Sequence, residues 1–373
     1  MVKNVRFILK QYVKMLIQNV LMPVVYIIFS FRKIDNNLIV FADAHNDMLP
    51  SSMKLLYDEV SVKGYKVVCN ICDYRTCGTI KMLKNMITFM WYYSIARCVF
   101  ICDYYLPASA CKKRKGTRLI QLWHAPCGIS KKFGYSTNED IPRYYKGLVT
   151  KNYDIVPVSS EVCVPIYTEA FRLTLGSARA IGVSRTDVFF DLNYKINCKN
   201  KFYVKYPELK SKKLILWAPT FRGNAANPYV VGYNDIKKVQ KLLGDEWYII
   251  IKLHPHVKGI AENCEISVEK LYPVIDILIT DYSSVIYEYL LFDKPYIIYV
   301  PDYETYMKNR GSYIDYRVIF KEKIVINADD LHSKIIEFYK NFDINENETL
   351  KKYFMEACDG NSTKRLLKML NLE

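Results

Sequence analysis

Glycine-rich phosphate loops are missing from this chain. Neither G-x-x-x-x-G-K-[ST] nor G-x-G-x-x-G occurs in its 373 residues, which argues against a P-loop NTPase and against a dinucleotide oxidoreductase. No small-residue cleavage site follows the first apolar stretch, so a secretory signal is not expected. A zinc-finger framework is also lacking. Cys69 and Cys72 make a C-x-x-C spacing with Cys77 nearby, but no second pair with suitably spaced histidines accompanies them. The 11 cysteines lie instead in strand-like runs such as Cys98 to Cys102, as reduced core thiols of a cytosolic protein do. No carboxylate cluster for a metal stands out, so neither a metal nor a cofactor is expected. Solenoid repeats and low-complexity tracts are absent. Negative charge is short: 38 Asp and Glu stand against 53 Lys and Arg, a formal net charge of +15. That excess calls for an anionic partner, whether nucleic acid, an anionic membrane surface or a phosphorylated substrate. No nucleic-acid-binding motif accompanies it, so a nucleic-acid partner is not expected.

What is present begins with a basic start (Lys3, Arg6, Lys10, Lys14) and an apolar stretch, Leu16 to Phe31, interrupted by Gln18, Asn19 and Pro23 and closed by Arg32 and Lys33. Residues 1–34 therefore read as a membrane-associating segment lying in the interface, peripheral and monotopic at the cytoplasmic face, with its basic residues toward anionic head groups. A true span of about 20 apolar residues and a helix packed on the domain are the alternatives.

From Leu38 onward, short apolar runs alternate with helical patterns, which predicts mostly parallel sheets with helices on both faces. Candidate strands are Leu38–Ala42, Lys66–Ile71, Cys98–Cys102, Arg118–Trp123 and Ile155–Val158 in the first half. Leu214–Ala218, Tyr248–Leu253, Ile277–Ile279 and Tyr296–Val300 follow in the second. The polar stretch Asn193–Lys213 reads as a surface linker between them. The expected organisation is 35–195 for an N-terminal Rossmann-like domain and 196–345 for a C-terminal Rossmann-like domain. Residues 346–373 are expected to form a helix packing back across the junction.

Open α/β sheets bind ligands at the carboxyl ends of their strands. Four stretches put polar chemistry there. His124 ends the fourth strand as a candidate general base, with Lys131 and Lys132 beyond it as possible phosphate contacts. Arg222, in Pro219-Thr-Phe-Arg-Gly223, offers a forked donor for diphosphate oxygens, and His254 a second imidazole. The stretch Asp281-Tyr-Ser-Ser284 follows a run suited to a strand covered on both faces. Ser283 and Ser284 at a helix start would meet a phosphate, and Glu288, one turn on from Ser284, would reach sugar hydroxyls beside it. An ordinary N-cap followed by a solvated glutamate fits that stretch as well.

Together these pieces resemble the CDP-glycerol glycerophosphotransferase family, which comprises teichoic acid primases and polymerases and related capsule enzymes. The matching motifs are Trp123-His124, Gly182-Val-Ser-Arg-Thr-Asp187, Ala218-Pro-Thr-Phe-Arg222, Lys252-Leu-His-Pro255, Thr280-Asp-Tyr-Ser-Ser-Val-Ile-Tyr-Glu288 and Asp359-Gly360, in the family's order. The chain departs from it where Ala125-Pro126-Cys127-Gly128 replaces Gly-Thr-Pro after the Trp-His pair, and where Ser184 replaces a proline.

The resemblance implies an α/β, GT-B-like fold of two Rossmann-type domains facing a cleft, and transfer of glycerol phosphate from CDP-glycerol with release of CMP. The acceptor would be a lipid-linked saccharide or a polyol-phosphate. It implies His124 and His254 as catalytic residues, with His254, Arg222, Asp281, Ser283, Ser284 and Glu288 at the donor. Arg185 joins Lys131 and Lys132 as a possible phosphate contact. A CDP-ribitol donor, a GT-B nucleotide-sugar glycosyltransferase and a non-enzymatic basic protein binding membranes or polyanions are the rival readings.

Overall fold

The computed structural model describes residues 2–128, 131–136, 148–224, 227–254, 257, 259–260 and 263–373. The chain divides into two compact units. One comprises Met1–His124, Phe133–Asp187 and Ala357–Glu373, and the other Ala125–Lys132 and Val188–Glu356.

The first unit is built on a parallel sheet of β1 (Asp35–Asp43), β2 (Lys66–Ile71), β3 (Ala96–Ile101) and β4 (Arg118–Gln121) in the order β2-β1-β3-β4. Its central strands are near-continuous apolar runs, as strands covered on both faces must be. Ile39 and Phe41 of β1, Phe100 of β3 and Ile120 of β4 share one core with Leu366, Leu367, Leu370 and Leu372 from the chain's end. Two short strands, β5 (Val156–Pro157) and β6 (Ala178–Arg179), pair in parallel beside it.

The Gly182 to Asp187 motif explains how the last helix, Ser362–Met369, is held. Asp187 accepts from the amides of Ser362 (3.0 Å) and Thr363 (2.7 Å), so a carboxylate remote in sequence caps that helix. Gly182 lies at φ +81, and a Cβ there would sit 2.1 Å from the Ala357 carbonyl oxygen. Only glycine fits that conformation and that approach.

The N-terminal segment is one continuous helical rod from Val2 to Phe29, with a π-turn at Ile17–Leu21. Gln18, Met22 and Tyr26 recur every four residues and are buried. Gln18 Nε2 donates to the Leu106 carbonyl (2.6 Å), and Tyr26 Oη accepts from the Arg114 amide (3.0 Å). The rod is thus docked on the first unit by one face. Its other face exposes Leu9, Tyr12, Leu16, Val20, Val24, Ile27 and Ile28. By length and composition, Gln11–Phe29 is long and apolar enough to cross a membrane.

The second unit carries a five-stranded parallel sheet. Its strands are β7 (Lys213–Ala218), β10 (Trp247–Ile251), β11 (Ile277–Thr280), β12 (Tyr296–Tyr299) and β13 (Ile324–Val325), in the order β10-β7-β11-β12-β13. After β7 comes a small hairpin of β8 (Arg222–Asn224) and β9 (Asn227–Tyr229). Every residue of β11 is buried, in agreement with its unbroken apolar run.

The polar stretch expected to be a linker is instead mostly a helix, Leu192–Lys205. Asp191 caps it by accepting from the Asn193 amide (2.8 Å), and Phe202 anchors it by burial. Its Lys and Asn residues are an outward helix face, which composition alone cannot distinguish from a solvated linker.

Candidate active site

In the first unit, chemistry-bearing residues stand in a row along the carboxyl edge of the sheet. Asp73 and Arg75 follow β2, Asp43 ends β1 with His45 just beyond, Asp103 follows β3, and His124 follows β4. His124 Nδ1 lies 3.4 Å from Asp103 Oδ2, with half of the imidazole side chain exposed (51%). A carboxylate on Nδ1 favours the tautomer that leaves Nε2 unprotonated and able to accept a proton.

This contact depends on two backbone positions. Asp103 and Trp123 have φ of +77 and +53, a left-handed region that side-chain-bearing residues seldom adopt. Gln121, fully buried, holds both. Its Oε1 accepts from the amides of Asp103 (3.1 Å) and Trp123 (2.9 Å), while Nε2 donates to the Asp103 carbonyl (2.8 Å) and Tyr153 Oη (3.0 Å). Four bonds of about 1 kcal/mol each offset strain of about 1–3 kcal/mol at each turn. The Trp123 ring, buried against Phe133 and Phe171, backs the imidazole at 4.2 Å between centroids.

Burial pushes the Asp103 carboxyl up, but the His124 charge and hydrogen bond, together with His45, pull it further down, to about 2. It is a carboxylate throughout the neutral range. Farther along the row, Asp43 Oδ1 accepts from the His45 amide (2.8 Å) and from Asn46 Nδ2 (2.9 Å). Arg75 pairs with Asp73 and donates to the His45 carbonyl (2.8 Å), which joins the loops after β1 and β2. Arg185 is half-buried in the 3-10 turn Ser184–Phe190 of the same unit.

The second unit holds the other expected residues. Arg222 is 8% exposed. Its Nε and Nη2 grip Asp302 (2.7 and 2.9 Å), while Nη1 reaches Asp281 Oδ2 (3.0 Å) and the Thr220 carbonyl (2.7 Å). Burial pulls its pKa down, and the hydrogen bond to Asp302 with the charges of Asp281 and Asp302 more than reverses this, so it stays charged.

Ser283 and Ser284 are half-buried in the turn after β11, and the helix they open is a short one, Val285–Tyr289. The Val285 amide is 3.5 Å from Ser283 Oγ. His254 is exposed, with its ring 4.7 Å from that of Phe221. Glu288 faces inward at 1% exposure, with Oε2 accepting from Tyr272 Oη (3.0 Å). Lys131 and Lys132 are half-buried. Among the described residues, no group of three or more His, Cys, Asp or Glu side chains could hold a metal ion.

Sequence reasoning missed Asp103, Gln121, Asp43, His45 and Asp302. For Asp103 and Asp302 the signal existed, because each follows a strand run at its sheet's carboxyl edge, the rule that singled out His124. Gln121 carried no such signal, since its role is visible only once two loops converge on its amide.

Comparison with known proteins gives this geometry a context. Residues 24–372 match the family model described as CDP-Glycerol:Poly(glycerophosphate) glycerophosphotransferase. The chain belongs to this family. Its relatives include the teichoic acid ribitol-phosphate primase of Bacillus spizizenii, 29% identical over 96% of this chain and 97% of that protein. The teichoic acid poly(ribitol-phosphate) polymerase of the same organism is 31% identical over 92% of this chain, which spans 57% of that longer protein. Among solved structures, a variant of the wall teichoic acid polymerase TagF superposes with a TM-score of 0.73 at 19% identity, covering 100% of this chain and 97% of that one. At that identity the likeness is one of fold. The family member described here is α/β with parallel sheets, of the GT-B type.

Proposed function

We propose that this family member transfers glycerol phosphate from CDP-glycerol to a hydroxyl of a lipid-linked or polymeric acceptor in teichoic acid or capsule synthesis. The observation that carries the reading is the His124–Asp103 pair, an oriented imidazole at a sheet's carboxyl edge. The acceptor oxygen attacks the β-phosphorus, the one bearing glycerol. Its proton passes to His124 Nε2. A new P–O bond forms as the bond to CMP breaks, and CMP leaves with the electron pair. Asp103 stabilises the imidazolium that develops. On the donor side, His254, Ser283 and Ser284 meet the diphosphate, and Lys131, Lys132 and Arg185 add positive charge for donor or acceptor phosphates. Glu288, facing inward against Tyr272, is assigned a structural part rather than a ribose contact.

Ribitol phosphate is the second reading, favoured because both relatives named above carry ribitol phosphate in their names. The enzyme works at the cytoplasmic face of the membrane, where the apolar outer face of the Val2–Phe29 rod lies among lipids and the exposed Lys14 and Lys33 face anionic head groups.

The test is CMP release from CDP-glycerol and, separately, CDP-ribitol, with a defined lipid-linked disaccharide, followed by product mass. One added phosphopolyol indicates priming and a ladder polymerisation. Wild-type rates surviving in both His124→Ala and His254→Ala would remove the mechanism.

A further inference from the structure

Three loops of the second unit's sheet converge on one buried guanidinium. Arg222 comes from the loop after β7, Asp281 from that after β11 and Asp302 from that after β12. These three strands are neighbours in the sheet, with β11 between the other two. Four of the five guanidinium N–H groups are directed at Asp302, Asp281 and the Thr220 carbonyl, as described above. The Asp281 carboxylate is shared further, since its Oδ1 accepts from the Thr220 amide at 2.8 Å.

Beside the guanidinium lie two stacked tyrosines. The rings of Tyr282 and Tyr306 are 3.5 Å apart between centroids at 7°, and Arg222 lies 5.2 and 4.8 Å from their centres. Tyr282 is 0% and Tyr306 3% exposed. Asp281 is thus held by Arg222 and the Thr220 amide, and Tyr282 by stacking on Tyr306; the next two residues are Ser283 and Ser284.

A side chain with its donors spent in this way has little left for a ligand. Turning Arg222 toward a diphosphate would strip the buried Asp281 and the partly buried Asp302 of their counter-charge, and leaving the buried Asp281 carboxylate unpaired costs more than the phosphate contact returns. We infer that Arg222 is a positioning residue, not a phosphate ligand: with Asp281 and Asp302 it ties three strand-end loops together and holds the Ser283–Ser284 turn ready for the donor. The inference rests on the proposed function for the identity of that donor, a CDP-linked polyol. Preorganisation of this kind spares the ordering cost of the turn at the moment of binding.

The discriminating variant is Asp302→Asn, with Arg222→Lys beside it. If Arg222 bound phosphate directly, Asp302→Asn would release its fork and remove a negative charge, and the donor KM would stay the same or fall. As a positioning residue, Arg222 loses its bidentate anchor in Asp302→Asn, so the donor KM rises about 10-fold or more while kcat changes less. Arg222→Lys, which cannot grip two carboxylates from one planar fork, follows in the same direction.

Amide hydrogen exchange in donor-free protein is measured in parallel, and both variants are expected to accelerate exchange at Thr220 and at residues 281–284. Unchanged exchange there, or an Asp302→Asn donor KM at or below wild type, overturns the inference. Wild-type protein that releases no CMP from either CDP-polyol overturns the functional reading instead. The exchange result then decides the positioning role by itself.

Discussion

Replacing Asp103 with asparagine keeps the side chain's shape and its bond from the Tyr104 amide (2.6 Å) but removes the charge facing His124. At 3.4 Å, two unit charges interact by about 1 kcal/mol in bulk water and about 5 kcal/mol at an effective dielectric of about 20. Side-chain exposures of 51% for His124 and 30% for Asp103 put the pair between those limits. Stabilisation of the developing imidazolium should therefore fall by about 1.5–3 kcal/mol, or about 10- to 150-fold in kcat.

The assay is CMP release at saturating donor and acceptor, with donor KM measured separately and expected to be unchanged. Because the Asp103 carboxyl is depressed from 3.8 to about 2, the carboxylate is ionised above about pH 4. The stability that the depressed carboxyl contributes is present above about pH 4 and lost as pH falls toward 2, so the difference in Tm between wild type and variant should close over that window. A kcat within about two-fold of wild type, or a loss confined to donor KM, would refute a base oriented by Asp103.

Gly182→Ala drives a Cβ to 2.1 Å from the Ala357 carbonyl oxygen at φ +81, and should cost about 2–4 kcal/mol and release the Ser362–Met369 helix. Thermal unfolding should show a Tm drop of several degrees with faster exchange in that helix, and a shift under about 1 °C would contradict the docking role assigned to the glycine. For the N-terminal rod, Val20→Asp with Ile27→Asp places two carboxylates on a face whose residues are 51% and 56% exposed. Co-sedimentation with phosphatidylglycerol vesicles should fall about 10- to 100-fold, at about 1 kcal/mol or more per site, while the melting temperature stays near wild type. Unaltered partition would show that this face does not meet lipid.

Elements with a strong local signature are legible in the sequence. Lys66–Ile71 is a strand with the bounds its apolar pattern indicated, and β11 has the two-sided burial that Ile277 to Ile279 implied. The short β6, β8, β9 and β13 were not legible, because two or three residues carry no periodicity. Asn193–Lys213 was misread for the opposite reason, since an exposed helix face and a linker have the same composition. At the site, the strand-edge rule pointed to His124, Arg222 and the serine turn, and it read Arg222 as a forked donor for diphosphate and Glu288 as reaching sugar hydroxyls, whereas the structure turns the first onto Asp302 and Asp281 and the second inward against Tyr272. Exposure and partners of such groups depend on loops distant in sequence: Asp302 lies 80 residues from Arg222.

By itself, the sequence determined the α/β layering, the family motifs in their order, the basic charge and the apolar rod at the start, because each is encoded in local pattern or composition. Only the tertiary structure decided that Asp103 stands against His124, that Gln121 holds both of their loops, that Asp187 caps the last helix, and that Arg222 is locked between two carboxylates. Those contacts join strand ends that parallel crossovers bring side by side, and no local propensity specifies which side chains meet there.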